Sequence, residues 1–282
     1  MAKSMVYNIL NGGRESSGSR RRWNMQMNIV QGVRPDVLCV CEATWWHWDD
    51  RRILRDTMAR LEMECALMVP SRVGDGVNCT ALLYRPATVK AKNSRQLAAG
   101  VFHHAAIESA MDIDGVEVTV LGTHLSYIPA RRDEEVVPLA DRGADMRPEW
   151  TEKNRRVVLM GDMNCAHPNS PQPIWRRIPA PLYPRYRTRQ PDGSFGDADR
   201  STITTLLAAG YSDPYSVLGR DREHTTGHWY ENEPEPQELD HILVSSNIEH
   251  AVTNVRTVNS PEARAASDHL PRVCELDLAA LS

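Results

Sequence analysis

Val157-Val158-Leu159-Met160-Gly161-Asp162-Met163-Asn164 is the stretch whose reading decides the fold. Four apolar residues in succession read as a short strand of the buried kind. Gly-Asp-Met-Asn follows at once and puts two oxygen-bearing side chains on a tight turn at the strand end. The same arrangement recurs along the chain. Apolar runs end in polar residues at Tyr7-Asn8-Ile9-Leu10, Cys39-Val40-Cys41-Glu42, Gly122-Thr123-His124-Leu125, Glu238–Ser245 and Ser267-Asp268-His269-Leu270-Pro271. Thr225-Thr226-Gly227-His228-Trp229 is a weaker seventh case. Strands built this way deliver Asn, Glu, His and Asp to one cleft, a set that suits a hard divalent cation and a phosphate. An Asp beside a His, as in Asp268-His269, orients or charges an imidazole for proton transfer.

The rest of the chain supplies the frame. Met5 to Leu10 reads as the first strand. Trp23, Met27 and Val30 recur at near-helical spacing until Arg34-Pro35-Asp36 ends that helix before the strand Val37–Cys41. Asp49 or Asp50 is expected to cap a second helix with apolar residues Ile53, Leu54, Met58 and Leu61. Strand-like runs follow at 66–69, 80–84, 105–111 and 116–125, the last two joined by an Asp114-Gly115 hairpin turn. Residues 126–155 are charged loop or helix. Residues 165–200, rich in Pro, Arg and Tyr, read as a long surface excursion. Thr202 to Ala209 reads as a helix closed by Gly210, and 242–244 and 273–278 supply the last strands. No repeat or linker-like break appears, so the expectation is one domain spanning 1–282 with long functional loops.

Hydrophobic residues at 41% and charged residues at 25% of 282 are ordinary for a globular chain. A net charge of −4 gives no global basic character, which disfavours tight gripping of duplex backbone but leaves room for a local basic groove. Seven Trp and eight Tyr against two Phe favour half-wet pockets, because indole and phenol carry polar handles. The six cysteines show neither a Cys-x-x-Cys pair nor zinc spacing, and Cys39 and Cys41 share a strand face as packing residues. No signal-peptide core or membrane-length apolar run is present, so a reduced, cytoplasmic setting without a membrane span is expected.

The order Asn, Glu, His, Asp-x-Asn, Asp-His, Asp-His resembles the endonuclease/exonuclease/phosphatase (DNase I-like) superfamily from Tyr7 to Pro271. The resemblance implies an α/β fold: a four-layer sandwich of two mostly antiparallel β-sheets flanked by helices. It implies Mg²⁺ (or Mn²⁺) held by Asn8, Glu42 and Asp268, with Glu42 the direct ligand. It places His124 on the scissile phosphate and Asp162 and Asn164 on the nucleophilic water and the transition state. Asp240, Asp268 and His269 complete the catalytic set, either Asp keeping His269 protonated. Asp162 and His269 both remain candidates for the base. The implied activity is metal-dependent phosphoesterase chemistry on a phosphodiester or phosphomonoester, with nucleic acid and small molecule both open as substrate. The alternative is a repurposed member that binds or converts a non-phosphate small molecule. No obligate protein partner is evident. Tyr-Asn-Ile-Leu-Asn-Gly-Gly replaces the Trp-Asn-Val-Asn-Gly of abasic-site nucleases. Their Gly-Tyr-Ser-Gly segment has only a rough counterpart at Gly74–Asn78, and His241 stands where many relatives carry Tyr. These departures point away from duplex DNA.

Further residues are candidate substrate contacts. Trp45 and Trp46, in a cluster of three Trp within 45–48, read as an aromatic wall in preference to a hydrophobic plug, because one amphipathic face does not bury three Trp in four residues. Arg185 and Arg187 belong to five Arg in 175–190 interleaved with Trp and Tyr, a grip for an anionic substrate or a solvated loop. His228 and Trp229 are placed near the same cleft. His103 and His104 read as hydrogen-bonding loop residues, Arg14 and Arg20–Arg22 as solvated charge, and 231–238 as an exposed acidic loop.

Overall fold

A computed structural model describes residues 1–73, 77–143 and 155–281; part of the Gly74–Asn78 segment and part of 126–155 lie outside them. In chain order the elements are β1 (Ala2–Asn8), α1 (Arg21–Val33), β2 (Val37–Cys41), α2 (Arg52–Leu61), β3 (Glu64–Pro70), β4 (Cys79–Tyr84), β5 (Val89–Gln96), β6 (Ala105–Ile113) and β7 (Val116–His124). There follow α3 (Pro129–Ala140), β8 (Val157–Asp162), α4 (Tyr183–Tyr186), β9 (Arg187–Arg189), β10 (Phe195–Ala198), α5 (Ser201–Ala208), β11 (Tyr211–Ser212) and α6 (Pro214–Val217). The chain closes with β12 (Asp240–Ser245), β13 (Val252–Thr257), α7 (Pro261–Ala266) and β14 (Arg272–Leu276).

Two mixed six-stranded sheets result, in the orders β13-β14-β1-β2-β4-β3 and β11-β12-β8-β7-β6-β5. Only β1–β2 and β7–β8 pair in parallel within them. Side chains alternate across each strand, and that alternation builds three apolar layers. Val6, Cys39, Cys41, Leu82, Ile107, Val120, Val158, Met160, Ile242 and Val244 fill the space between the sheets. Met5, Tyr7, Leu38 and Val40 face outward beneath α1, α2 and α7, whereas Leu121, Val157, Leu159 and Leu243 lie beneath α3 and α5. This is the four-layer sandwich expected from the sequence.

Two local expectations are corrected. Neither Asp49 nor Asp50 caps α2; Arg51 precedes it in the left-handed region at φ 57°, and Asp49 instead pairs with Arg52 Nε at 2.6 Å. The 231–238 stretch is not an exposed loop throughout, because Glu235, Gln237 and Glu238 are buried. At Asp114-Gly115 the hairpin forms as read, with φ of 50° and 86°. Among the described residues no helix is long and apolar enough to cross a membrane.

Candidate active site

The site is the open end of the inter-sheet core. Val6 and Asn8 share one face of β1, Val158, Met160 and Asp162 one face of β8, and Asp240, Ile242 and Val244 one face of β12. Continuing the inward alternation by one step past the last apolar residue therefore turns Asn8, Asp162 and Asp240 into the cleft. Register then sets them side by side, with Asp240 opposite Asp162 and Asp162 opposite His124. Gly161 is required at this point, since a Cβ there would lie 2.1 Å from the carbonyl oxygen of Thr123 on β7. Glu42 follows β2 directly, in the left-handed region at φ 56°. The 11–14 loop cradles it: the Asn11 N–H donates to Oε2 at 3.0 Å and Gly12 N–H to the Glu42 carbonyl at 2.7 Å. A side chain at Gly12 would strike the Thr44 carbonyl at 2.2 Å.

The polar groups form one connected network. The Asn8 amide donates to Asp162 Oδ2 at 3.0 Å and to Glu42 Oε1 at 3.3 Å. Asn164 N–H donates to Asp162 Oδ1 at 3.0 Å, and its amide holds the Leu125 carbonyl at 2.9 Å. His269 Nδ1 meets Asp240 Oδ2 at 2.7 Å and lies 3.9 Å from Asp162. His124 Nε2 is 3.6 Å from Asp162. His104 stacks on His124 with ring centroids 4.0 Å apart and planes within 12°, and its Nδ1 is held by Ser71 Oγ at 3.0 Å. The buried Nδ1 of His124 and Oδ1 of Asp240 have no hydrogen-bond partner among the described residues.

Burial and crowding set the charges. Burial works against a charged His269, but Asp240 and Asp162 outweigh it and hold the ring well above the usual imidazole range. Burial, with His104 and His269 nearby, keeps His124 well below that range and so neutral. Asp162 is pushed up to about 7 by burial and by Asp240, against the pull of His269. Burial and the adjacent Asp268 also raise Glu42.

Two cation sites can be weighed. Ligand atoms of Asp162, Asp240 and His269 lie within 4.8 Å of one another, but the His269 nitrogen involved already pairs with Asp240. Glu42 and Asp268 fit a Mg²⁺ better: both are hard oxygen donors facing the cleft, and their mutual repulsion is what a divalent cation relieves.

The cleft is a cavity of about 310 Å³ lined by Glu42, His124, Asp162, Asn164, Asp268 and His269 at one end. Arg185, Tyr127, Tyr186, Trp229, Tyr230, Glu233, Glu235 and Gln237 form its walls. The structure therefore brings Arg185 and Trp229 to the cleft. It does not do so for four other expected contacts. Trp46 is fully buried in the layer beneath α1 and donates from Nε1 to the Gly12 carbonyl at 3.3 Å. Trp45 lies in a separate pocket on the far side of the 11–14 loop. Arg187 is turned onto Trp175 and Tyr183, 4.6 and 4.9 Å from their ring centroids, and donates to the Gly196 and Phe195 carbonyls. His228 is not among the cleft-lining residues and pairs through Nε2 with the Ser267 carbonyl at 2.9 Å. The His269 imidazole is oriented by Asp240 and not by Asp268, whose carboxylate takes the Tyr230 hydroxyl at 3.3 Å. Sequence reading missed His104 as a wall of the site, although it directly precedes β6, which pairs with the strand carrying His124. It also missed Glu233 and Glu235, which look like solvated loop until Thr226 bridges to Gln237 and folds the loop over the cleft.

The description of the Endonuclease/Exonuclease/phosphatase family matches residues 5–269. Among solved structures, the chain resembles a mannosyl-6-phosphatase of Bacteroides thetaiotaomicron at 17% identity and TM-score 0.66, covering 98% of this chain and 100% of that one. The catalytic domain of human Nocturnin with a bound sulfate gives 18% identity and TM-score 0.63, with 98% and 93% covered. A 3′ phosphatase from Neisseria bound to a product DNA hairpin gives 19% and 0.65, with 98% and 100% covered. A search of curated proteins gives no match.

Proposed function

The chain belongs to the Endonuclease/Exonuclease/phosphatase family and is an ester-bond hydrolase; from that premise we propose that it is a divalent-cation-dependent phosphoesterase using one activated water. The observation that carries this reading is the Asn8–Asp162–Asp240–His269 network at the mouth of the inter-sheet core. Glu42, with Asp268 and Asn8 beside it, would hold Mg²⁺ or Mn²⁺, which when bound offsets the negative charge that develops on the phosphoryl oxygens. Asp162 takes the proton of the attacking water, its carboxylate fixed by the Asn8 amide and the Asn164 N–H. His269, kept charged by Asp240, presents its remaining ring N–H to a phosphate oxygen. Neutral His124, backed by His104, binds a second phosphate oxygen. Glu233 and Glu235 add acidic groups to the cleft wall, away from the phosphate-binding end.

The test is Mg²⁺- and Mn²⁺-dependent hydrolysis of a chromogenic diester, single-stranded and plasmid DNA, RNA, nucleotides, sugar phosphates and inositol phosphates, with His269→Ala run in parallel. Metal-dependent cleavage that disappears in the variant supports the reading. Equal cleavage by both proteins, or none by wild type with metal bound, sinks it.

A further inference from the structure

Three separate cavities flank the 11–14 loop and are linked by shared lining residues. Trp229 lines both the catalytic cleft and a shallow groove, and Arg14 lines both that groove and a pocket of about 230 Å³. The groove is lined by Arg14, Arg21 and Arg22, with Glu15 beside them 3.9 Å from the exposed Arg21 guanidinium. The pocket is walled by Trp45, Trp48 and Trp23. From the catalytic cleft outward the side chains run from one aromatic through two cations to two aromatics: Trp229, Arg22, Arg14, Trp45, Trp48. Arg22 lies 5.8 Å from the Trp229 ring centroid and Arg14 lies 5.4 Å from that of Trp45.

This path is not explained by stability. Trp48 keeps 53% of its surface exposed, so its indole is open to a ligand. Arg20, Arg21 and Arg22 crowd the N-terminus of α1, which has no acidic residue in its first turn and no side-chain cap. Cations at that end oppose the helix dipole and raise the local potential. Arg22 is 7% exposed and borders the groove; its Nη2 donates to the Leu10 and Arg14 carbonyls at 2.7 Å, and its Nε has no partner among the described residues. Arg20 and Arg52 in the pocket are paired with Asp56 and Asp49, but Arg14 forms no ion pair among the described residues. Glu233 and Glu235 also line the cleft, so a polyanion is favoured along the Arg14 side.

We propose that the Trp229–Arg14–Trp48 path is a binding track for the flanking nucleotides of a single-stranded polynucleotide whose scissile phosphate lies at Glu42. Bases stack on Trp45 and Trp48, and phosphates run over Arg14 and Arg21; paired bases have no free face for this stacking, so duplex is excluded. The inference rests on the phosphoesterase reading for the chemistry at Glu42, but binding to the track is measured without turnover.

The probe is a fluorescein-labelled, phosphorothioate-linked oligodeoxythymidylate, which resists hydrolysis, titrated by anisotropy into the Mg²⁺-loaded protein. Trp48→Ala is expected to weaken binding roughly tenfold without changing its salt dependence. Arg14→Ala is expected to weaken it as well and to flatten the slope of log affinity against log salt by about 0.7. In both variants the ratio of oligonucleotide to chromogenic-diester turnover falls, while wild-type melting temperatures show that each is folded. Affinities equal to wild type in both variants, duplex bound as tightly as single strand, or no binding by wild type would each overturn the track. Trp48-dependent binding by a protein that cleaves no phosphoester would uphold the track and remove the phosphoesterase reading instead.

Discussion

At the scale of single residues, the proposed chemistry divides its labour between Glu42 and His269. Glu42 is held in the left-handed region by hydrogen bonds from the 11–14 loop, a strained position that fixes a carboxylate where the cation would sit. His269 is bound to Asp240 and not to the cation's carboxylates. Glu42→Gln is therefore expected to weaken Mn²⁺ binding at least about tenfold by calorimetric titration. His269→Ala should leave that affinity near wild type and lower kcat by roughly 10²–10⁴. Parallel losses of metal affinity in both variants would put His269 among the ligands. The neighbouring Trp residues show where a residue's neighbours in sequence mislead. Periodicity cannot sort Trp45, Trp46 and Trp48, because Trp45 at φ 61° and Asp49–Arg51 at positive φ twist the chain between β2 and α2. The result buries Trp46 and exposes Trp48. Trp46→Ala is accordingly a stability variant, expected to cost about 3–5 kcal/mol in urea unfolding, whereas exposed Trp48→Ala should cost about 0.5 or less.

At the scale of elements, the strands that carry the chemistry were legible because burial on both faces leaves an uninterrupted apolar run ending in a polar residue, as in Val157–Asp162. Of the unread strands, β5, β11 and β13 are edges of the two large sheets and β9 and β10 pair only with each other; Lys90, Lys92 and Arg95 in β5 give it the polar, charged sequence of an edge. Nor could sequence show that residues 223–237 form a strap with both ends pinned. Arg222 at its start bonds Glu238 at its end at 2.7 Å, as well as Asp213 at 2.6 Å, and Arg272 of β14 also pairs with Glu238. These contacts join residues up to 34 apart in sequence, beyond any local pattern. Burial alone would raise Glu238 and Asp213, but Arg272 and Arg222 hold Glu238 far below the usual range and Arg222 holds Asp213 below it. Groups so depressed contribute stability that is complete above the unfolded carboxylate range, about 4, and is lost as pH falls through their folded values. Thermal melts should then show a stability loss below about pH 4 that is smaller in Glu238→Gln. That variant leaves Arg272 buried without its carboxylate, so it should cost roughly 3–5 kcal/mol at neutral pH. A wild-type neutral-pH stability in Glu238→Gln would show that the strap is not anchored there.

At the scale of the whole molecule, the two sheets contribute different halves of the site. Asn8 and Glu42 end strands of the first sheet and Asp268-His269 lead into its β14, whereas His124, Asp162 and Asp240 end strands of the second. The apolar layer between the sheets fixes how these halves face each other, and only a few polar contacts, such as Asn8 to Asp162, cross it at the site. A phosphate bound by His124 and by a cation on Glu42 would therefore clamp one sheet to the other, and its binding energy becomes folding stability. At a free Mg²⁺ concentration a hundred times its Kd, the linkage amounts to about 2.7 kcal/mol, a rise of several degrees in Tm that a chelator should reverse. Inorganic phosphate or vanadate should add a second rise only when Mg²⁺ or Mn²⁺ is present, because without the cation Glu42 and Asp268 repel the anion. In Glu42→Gln both increments should shrink together, measured by differential scanning fluorimetry across metal and phosphate titrations. A phosphate-dependent rise of equal size in chelator would place the anion on protein cations alone, away from Glu42, and would break the link between the two sheets on which this stabilisation depends.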